Sequence, residues 1–533
     1  MLRSFSSLTR SIISRSTASY AHGASTTPLL YETIGQRFRK NVEAVPDREL
    51  YVFDHQGVRK TYEEAHDDAR LLACALLELG VQQGDRVGIW GPNYYEWVTC
   101  QMATAMAGFI QVNVNPSYQT EELRFALTKI TPSMTTSKRG SGFVRNRGIP
   151  ELQQIIMFGS EKKKKGCWKY EELIDGVGST SEQRLVENEE RIRVDDPVNI
   201  QYTSGTTGYP KAATLTHHSL LNNSYIQGVR TGYGVGRHRI CIPNPLYHCF
   251  DNCIPRGFNA LRTLEVVAKE KCTSLYGTPT MFIDVLAHLN TAKENNWNLS
   301  SLIAGYMAGA PCPEALCSRL VRMGIENLTV LYGSTELSPV VTMSSLDQPP
   351  LQRIKNVGYV LDHVELLVVD EEGQVVPRGV NGQLLARGYN VMQGYYNDEE
   401  RTKQEITPDK CIVGRSKDMI IRGGENIYPV EIEQFLFKIP GVADAQVIGV
   451  TDERFGETVC AWIRMREGFN MTEDEVKEAC KGKVAHYKIP KYVLFKKESE
   501  FPLTATGKVK KFELRAISKK ELGLEQVRSW MRF

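Results

Sequence analysis

The chain alternates amphipathic runs with short apolar ones, and that alternation restricts it to an α/β architecture before any single motif is read. From Tyr62 to Leu79, small and apolar residues recur at Ala65, Ala69, Leu72, Leu76 and Leu79, the spacing of one helical face, and Gly80 stops the run. Arg86-Val87-Gly88-Ile89-Trp90 follows as a strand-like run closed by Gly91-Pro92-Asn93. Trp97 to Gly108 then reads as helix and Phe109 to Val112 as extended chain. Helix and strand in turn predict a sheet with helices packed on its faces. With 533 residues and 41% hydrophobic content, the chain predicts two or more domains, each with its own core.

The texture changes at Gly414-Arg415-Ser416-Lys417-Asp418, a charged turn followed by Met419-Ile420-Ile421, Gly423-Gly424 and a helical run from Pro429. We place a domain boundary here, with a large domain over 37–413 and a small α+β domain over 414–533. The small domain carries strand-like Ala445 to Val450, a helix opened by the capping box Thr472-x-x-Glu475, and strand-like Tyr492 to Phe495.

Charge is balanced at +3, and Arg3, Arg10 and Arg15 account for three positives at the extreme N-terminus, so nothing asks for a nucleic-acid partner. Residues 1 to 31 lack Asp and Glu, are rich in Ser and Thr, and set Leu2, Phe5, Thr9, Ile12 and Ile13 along one helical face. That is the pattern of a mitochondrial transit peptide over roughly the first 30 residues. No apolar run is long enough to span a bilayer. Twelve cysteines with no Cys-x-x-Cys pair argue for a reducing compartment and against a zinc site; His248, Cys249 and Cys253 are the nearest thing to a ligand cluster.

Tyr202-Thr203-Ser204-Gly205-Thr206-Thr207-Gly208-Tyr209-Pro210-Lys211 joins two strand-like runs, Val198 to Tyr202 and Ala212 to Thr216. Its glycines free backbone amides to face an anion, its hydroxyls add donors, and Lys211 adds charge. The spacing is not that of a Walker A loop, and an ordinary Gly/Thr-rich turn is the alternative that composition leaves open. Further glycine or proline turns beside apolar runs follow at Pro245-Leu246-Tyr247-His248, Tyr276-Gly277-Thr278-Pro279-Thr280, Ala308-Gly309-Ala310-Pro311 and Leu331 to Glu336. Pro502 to Lys508 is a second flexible loop that carries a lysine.

Taken in order, Tyr202 to Lys211, Tyr332 to Glu336, Gly414 to Asp418 and Thr504 to Lys508 resemble the adenylate-forming superfamily of acyl-CoA synthetases, luciferases and peptide-synthetase adenylation domains. The resemblance covers the chain from about residue 37 onward. Pro243 to His248, Tyr276 to Phe282 and Gly414 to Pro429 are more similar to the mitochondrial medium-chain acyl-CoA synthetase branch of the family-member-two type.

The resemblance implies a large domain of stacked sheets and helices, a small mobile C-terminal domain, and a ligase of the mitochondrial matrix. Its substrates are a fatty acid, ATP and coenzyme A, with Mg²⁺: the carboxylate attacks the α-phosphate to give an acyl-adenylate and pyrophosphate, and coenzyme A displaces AMP. It also implies the roles of individual residues. Thr203, Ser204, Gly205, Thr206, Thr207, Gly208, Tyr209, Pro210 and Lys211 would hold the β- and γ-phosphates, Thr335 the α-phosphate, and Glu336 would face Mg²⁺. Gly309, Ala310, Pro311 and Tyr332 would flank adenine, and Arg415 would reach the ribose. Lys508 would bridge the substrate carboxylate and the α-phosphate, and His248 would join Lys508, Thr335 and Glu336 as a catalytic residue. Lys417 matches the hinge about which the small domain swings, the Gly423-Gly424 loop then replacing Lys508. Taken singly, Glu336 also reads as a helix N-terminal acid, Tyr332 as a core aromatic and Lys508 as a solvated loop lysine.

The sequence departs from the family pattern at three places. The Thr-Gly-Asp whose aspartate binds the ribose is absent between Tyr396 and Gly414, Asp409 being a poor substitute without the flanking turn. The stretches after His248 and around Thr131 to Gly148 also lack whole elements, the form expected of a shortened splice product or of omitted exons. A catalytically weak or inactive binding protein is therefore the competing expectation.

Overall fold

A computed structural model describes residues 18–130, 152–159, 162, 164–175, 177–203, 210–233, 238–247, 258–309, 312, 314–370, 372–413, 419–502 and 509–525. A large N-terminal domain of mixed sheets and helices is followed by a smaller C-terminal one.

The helix read from Ala65 to Leu79 runs Tyr62–Glu78, and Thr61 and Glu64 close a reciprocal capping box at its start. It packs on Tyr95–Ala107, which buries Trp97 completely and ends at Gly108 with φ +75°, a left-handed turn that sends Phe109 into the core. The strands Arg86–Trp90, Ile110–Val114 and Pro197–Thr203 lie parallel, and Lys211–Thr216 and Gly394–Tyr395 extend this sheet antiparallel. Its middle is not purely apolar. Gln111, Asn113, Asn199 and Gln201 are buried side by side, with Gln111 Nε2 donating to Asn113 Oδ1 at 2.8 Å and Asn199 Nδ2 to the same oxygen at 3.2 Å.

A second sheet places Ile240–Cys241, Ser274–Gly277, Ala304–Met307 and Asn327–Gly333 in parallel, followed by antiparallel Val340–Met343 and Tyr359–Val360. In a third sheet Tyr20–His22, Val364–Val369, Gln383–Gly388 and Ile412–Val413 pair antiparallel. Residues 18–30, which the sequence pattern set inside the approximate transit segment, thus belong to the fold. Gly23 exchanges backbone bonds with His363 and Val364, and Leu30 N donates to Asn222 Oδ1 at 2.6 Å.

The C-terminal domain is built on the long hairpin Val442–Asp452 and Gly456–Met465, to which Tyr492–Phe495 adds in parallel and Ile420–Arg422 antiparallel. The helix Glu473–Cys480 opens with the Thr472–Glu475 capping box read from the sequence. Ile432, Leu436, Val447, Val459, Ala461 and Val476 form its core. The ten cysteines among the described residues are all free thiols, and no helix among those residues is long and apolar enough to cross a membrane.

Candidate active site

Three strands of the second sheet run parallel in register, Ser274 beside Ala304 beside Asn327, so their carboxyl ends open along one edge. That edge is where open α/β sheets place ligands. It brings together Thr278, Gly309 and the Gly333-Ser334 turn, the glycine-bearing turns singled out in the sequence. Gly423 and Gly424 of the C-terminal domain reach the same edge. A side-chain carbon on Gly424, where φ is +95°, would stand 2.6 Å from Thr278 Cγ2, and one on Gly423 would stand 2.9 Å from Phe455 Cδ1. One on Gly309, where φ is +84°, would stand 3.5 Å from Thr278 Cγ2 and 3.9 Å from Gly424 Cα. A side chain at Gly424 or Gly423 would collide with Thr278 or Phe455, whereas at Gly309 the distances are ordinary contacts and it is the left-handed backbone that favours glycine.

Thr335 and Glu336 open the short helical turn Thr335–Leu337 directly after the strand that carries half-buried Tyr332. Glu336 Oε1 accepts from Thr203 Oγ1 at 3.2 Å and from the Tyr395 hydroxyl at 3.1 Å, so the first threonine of the Gly/Thr-rich stretch meets the acid of the Tyr332–Glu336 motif. Lys211, 4% exposed, joins the same cluster from the other end of that stretch. Its ammonium lies 2.5 Å from Glu405 Oε1 and 3.4 Å from the Tyr395 hydroxyl. Burial and the two neighbouring carboxylates, Glu336 and Glu405, hold the Tyr395 hydroxyl far above its ordinary pKa, so it stays a hydrogen-bond donor.

The Pro243–Tyr247 turn is fixed by buried Asn93, whose side-chain amide donates to Asn244 O and whose Oδ1 accepts from Leu246 N, both at 2.9 Å. The Tyr247 hydroxyl donates to Glu425 Oε1 at 2.7 Å, next to Gly424. Burial, and then the Glu425 carboxylate, raise the pKa of that hydroxyl well above the ordinary value. Behind the turn lies a tight apolar cleft lined by Pro243, Phe258, Leu275, Tyr276, Met281 and Phe282.

Ser204, Gly205, Thr206, Thr207, Gly208, Tyr209, His248, Ala310, Pro311, Arg415, Lys417 and Lys508 lie outside the described residues. Of the others, Thr203, Glu336 and Lys211 gather around Tyr395, and Gly309 belongs to the Thr278–Gly424 contact. Sequence reading missed Tyr395, Glu405 and Glu425. Tyr395 sits in Gly394-Tyr395-Tyr396, a turn that marks a strand but announces no chemistry, and Glu405 closes a charged surface helix. Asp409 lies in the turn before Ile412–Val413, where its backbone carbonyl faces Cys411 Sγ at 3.9 Å.

Of the two carboxylates in the cluster, Glu405 is ion-paired to Lys211, and Glu336 is flanked by hydroxyls. No group of three or more His, Cys, Asp or Glu placed to hold a metal ion occurs among the described residues. That donor set fits Mg²⁺, which binds through one or two carboxylates and takes its other oxygens from phosphate and water.

The AMP-binding enzyme family model matches residues 38–396, and the AMP-binding enzyme C-terminal domain model matches 431–508. The chain is 42% identical to the mitochondrial medium-chain acyl-CoA ligase ACSF2 of Danio rerio, over 95% of this chain and 92% of that one. It is 37% identical to the putative acyl-CoA synthetase YngI of Bacillus subtilis (strain 168), over 91% and 97%. In fold it superimposes on the Bacillus subtilis o-succinylbenzoate CoA synthetase bound to a product analogue, with a TM-score of 0.73 at 21% identity, covering 91% of this chain and 99% of that one.

Proposed function

The chain belongs to the AMP-binding enzyme family, and on that footing we propose that it is an AMP-forming acid–thiol ligase that converts a medium-chain fatty acid to its coenzyme A thioester. The observation that carries the proposal is the meeting of Thr203, Glu336 and Lys211 around Tyr395. It gathers hydroxyl, carboxylate and ammonium where a nucleotide's phosphates and its metal would lie.

A carboxylate is a poor nucleophile toward an anionic phosphate, so the site must neutralise charge and align the partners. Thr203 and Lys211, with the intervening loop, would take the β- and γ-phosphates, and Thr335 the α-phosphate. Glu336 would hold Mg²⁺, which supplies charge neutralisation at the phosphates when bound. Gly309 and Tyr332 would flank the adenine and Arg415 the ribose. The fatty tail would need an apolar site in which no charge is buried; Tyr276 and Phe282 offer apolar surface near the Pro243–Tyr247 turn, but it is packed too tightly here to take a chain without moving. Lys508 would stabilise the adenylation transition state. Rotation about Lys417 would then exchange it for Gly423-Gly424, whose contact with Thr278 corresponds to the thioester-forming pose. The residues fit a matrix enzyme through the arginine-bearing N-terminus and the mitochondrial name of the Danio rerio relative.

A second reading is a nucleotide- or acyl-binding relative with little ligase activity. It is favoured by the alignment to the Danio rerio protein, which runs over 565 positions while taking in 95% of a 533-residue chain, so that relative carries residues where this chain has none. Fatty-acid-dependent ATP–pyrophosphate exchange on the purified protein separates the two readings. Exchange supports the ligase; ATP binding without exchange sinks it in favour of the second. A full-length cDNA matching the sequence would rule out omitted exons.

A further inference from the structure

The two domains meet through charges and hydroxyls withdrawn from water. Lys488, in the turn His486–Lys488, is buried and reaches two carboxylates. One is Glu431, from the helix Pro429–Leu436 of its own domain; the other is Glu122, from the helix Thr120–Ile130 of the N-terminal domain, at 2.6 Å. The ammonium also stands over the rings of Tyr118 and Tyr487, 5.7 and 5.8 Å from their centroids. Beside it Asn115 Nδ2 donates to the Tyr487 hydroxyl at 3.2 Å, and Tyr247 donates to Glu425. These ties flank Gly423-Gly424 and fix where that loop lies against Thr278.

The partners of Lys488 differ in kind. Glu431 travels with the small domain in any pose, whereas Glu122 belongs to the other domain and meets Lys488 only when the two are docked as here. A charge withdrawn from water is tolerated when paired, so the Glu122 carboxylate favours this pose over one in which Lys488 turns elsewhere. Glu122 is also pre-set for the contact. Its Oε2 accepts from Gln119 N at 2.9 Å at the start of its helix, which leaves Oε1 for Lys488.

Resting on the ligase reading above, we infer that Glu122 is a positioning residue for the second half-reaction: by accepting the Lys488 ammonium it holds the small domain where Gly423-Gly424 meets Thr278, and it has no part in making the acyl-adenylate. The pair therefore biases the enzyme between its two steps.

Glu122→Gln keeps the side chain's size and its bond to Gln119 but removes the charge. In the full-length protein it should slow thioester formation from supplied acyl-adenylate and coenzyme A by about ten-fold. Fatty-acid-dependent ATP–pyrophosphate exchange should stay within about two-fold of wild type. A third measurement needs no activity. Arg454 and Asp284 join the domains at 2.9 Å, so cysteines placed there (Asp284→Cys with Arg454→Cys) and bridged by a short bis-maleimide report how often this pose is occupied. Glu122→Gln should lower that cross-linking yield. Unchanged yield, or equal loss in both half-reactions, overturns the inference. A chain without any exchange would refute the ligase reading, while the cross-linking yield would still decide for or against Glu122. Should the glutamine variant fail to fold, Glu122→Asp keeps the charge with a shorter reach and must show the same ordering at smaller amplitude.

Discussion

The Lys211 ammonium lies 2.5 Å from Glu405 Oε1, so the lysine that ends the Gly/Thr-rich stretch is ion-paired to the last residue of the helix Glu399–Glu405. Phosphate and Glu405 would compete for the same ammonium. Glu405→Gln should therefore cost about 1–3 kcal/mol in the nucleotide-free protein, by leaving a nearly buried ammonium short of its counter-charge. MgATP should restore that loss, making the nucleotide-induced rise in melting temperature larger in the variant than in wild type. Equal rises in both would mean that Lys211 does not move to the phosphates.

The elements that local chemistry dictates were legible in the sequence. Arg86–Trp90 and Tyr492–Phe495 fall where the apolar runs put them, and the Thr472–Glu475 capping box starts its helix. The strand read as ending at Val112 continues to Val114 because Gln111 and Asn113 satisfy each other and the neighbouring strand. A polar pair inside a sheet breaks the apolar signal on which a strand reading depends. The site was legible only as separate turns. Glu405 follows Lys211 by 194 positions and Lys488 follows Glu122 by 366, and no spacing rule couples residues so far apart. The first pair is set by tertiary packing within the N-terminal domain and the second by packing between the domains, and both form only once the sheets have folded.

Lys508 tests the assignment of the two half-reactions from the other side. Its charge would act where negative charge builds up during adenylation, and its loop would leave the site before thiol attack. Lys508→Ala should abolish fatty-acid-dependent ATP–pyrophosphate exchange yet leave thioester formation from supplied acyl-adenylate close to wild type. Equal loss in both assays would count against a two-pose cycle. Together with Glu122→Gln this makes a pair of variants with opposite defects.

At the N-terminus, Tyr20–His22 fills the edge of the third sheet against Val364–Val369, His363 Nε2 donates to Thr27 O at 2.7 Å, and Asn222 holds Leu30 from both sides. A leader removed at about residue 30 would uncover that edge. A chain beginning at Ala18 should melt like the full-length protein. One beginning at Tyr31 should lose on the order of 2–4 kcal/mol and aggregate through the bare strand. N-terminal sequencing of the mature protein from its native source should accordingly find its first residue at or before Ala18; a start beyond His22 would contradict the role given to this strand.

His217 predicts how stability depends on pH. It is buried at the start of the helix His217–Arg230, where its Nδ1 accepts from Ile34 N at 3.2 Å and so must be unprotonated. Burial lowers its pKa to about 4, against a weaker opposing pull from Asp196. In the unfolded chain the imidazole titrates near its ordinary value of about 6.5. Above that pH it is neutral in both states and contributes no pH dependence. As pH falls from about 6.5 to about 4, the unfolded chain takes up a proton that the folded one refuses, so stability declines, by about 3 kcal/mol at the lower limit. His217→Gln, which keeps a hydrogen-bond acceptor but cannot be protonated, should remove that part of the slope. Urea unfolding of both proteins at intervals between pH 4 and 7.5 isolates it, because every other titrating group is common to the two. Parallel stability curves across the window would show that His217 is already free to take up a proton in the folded protein.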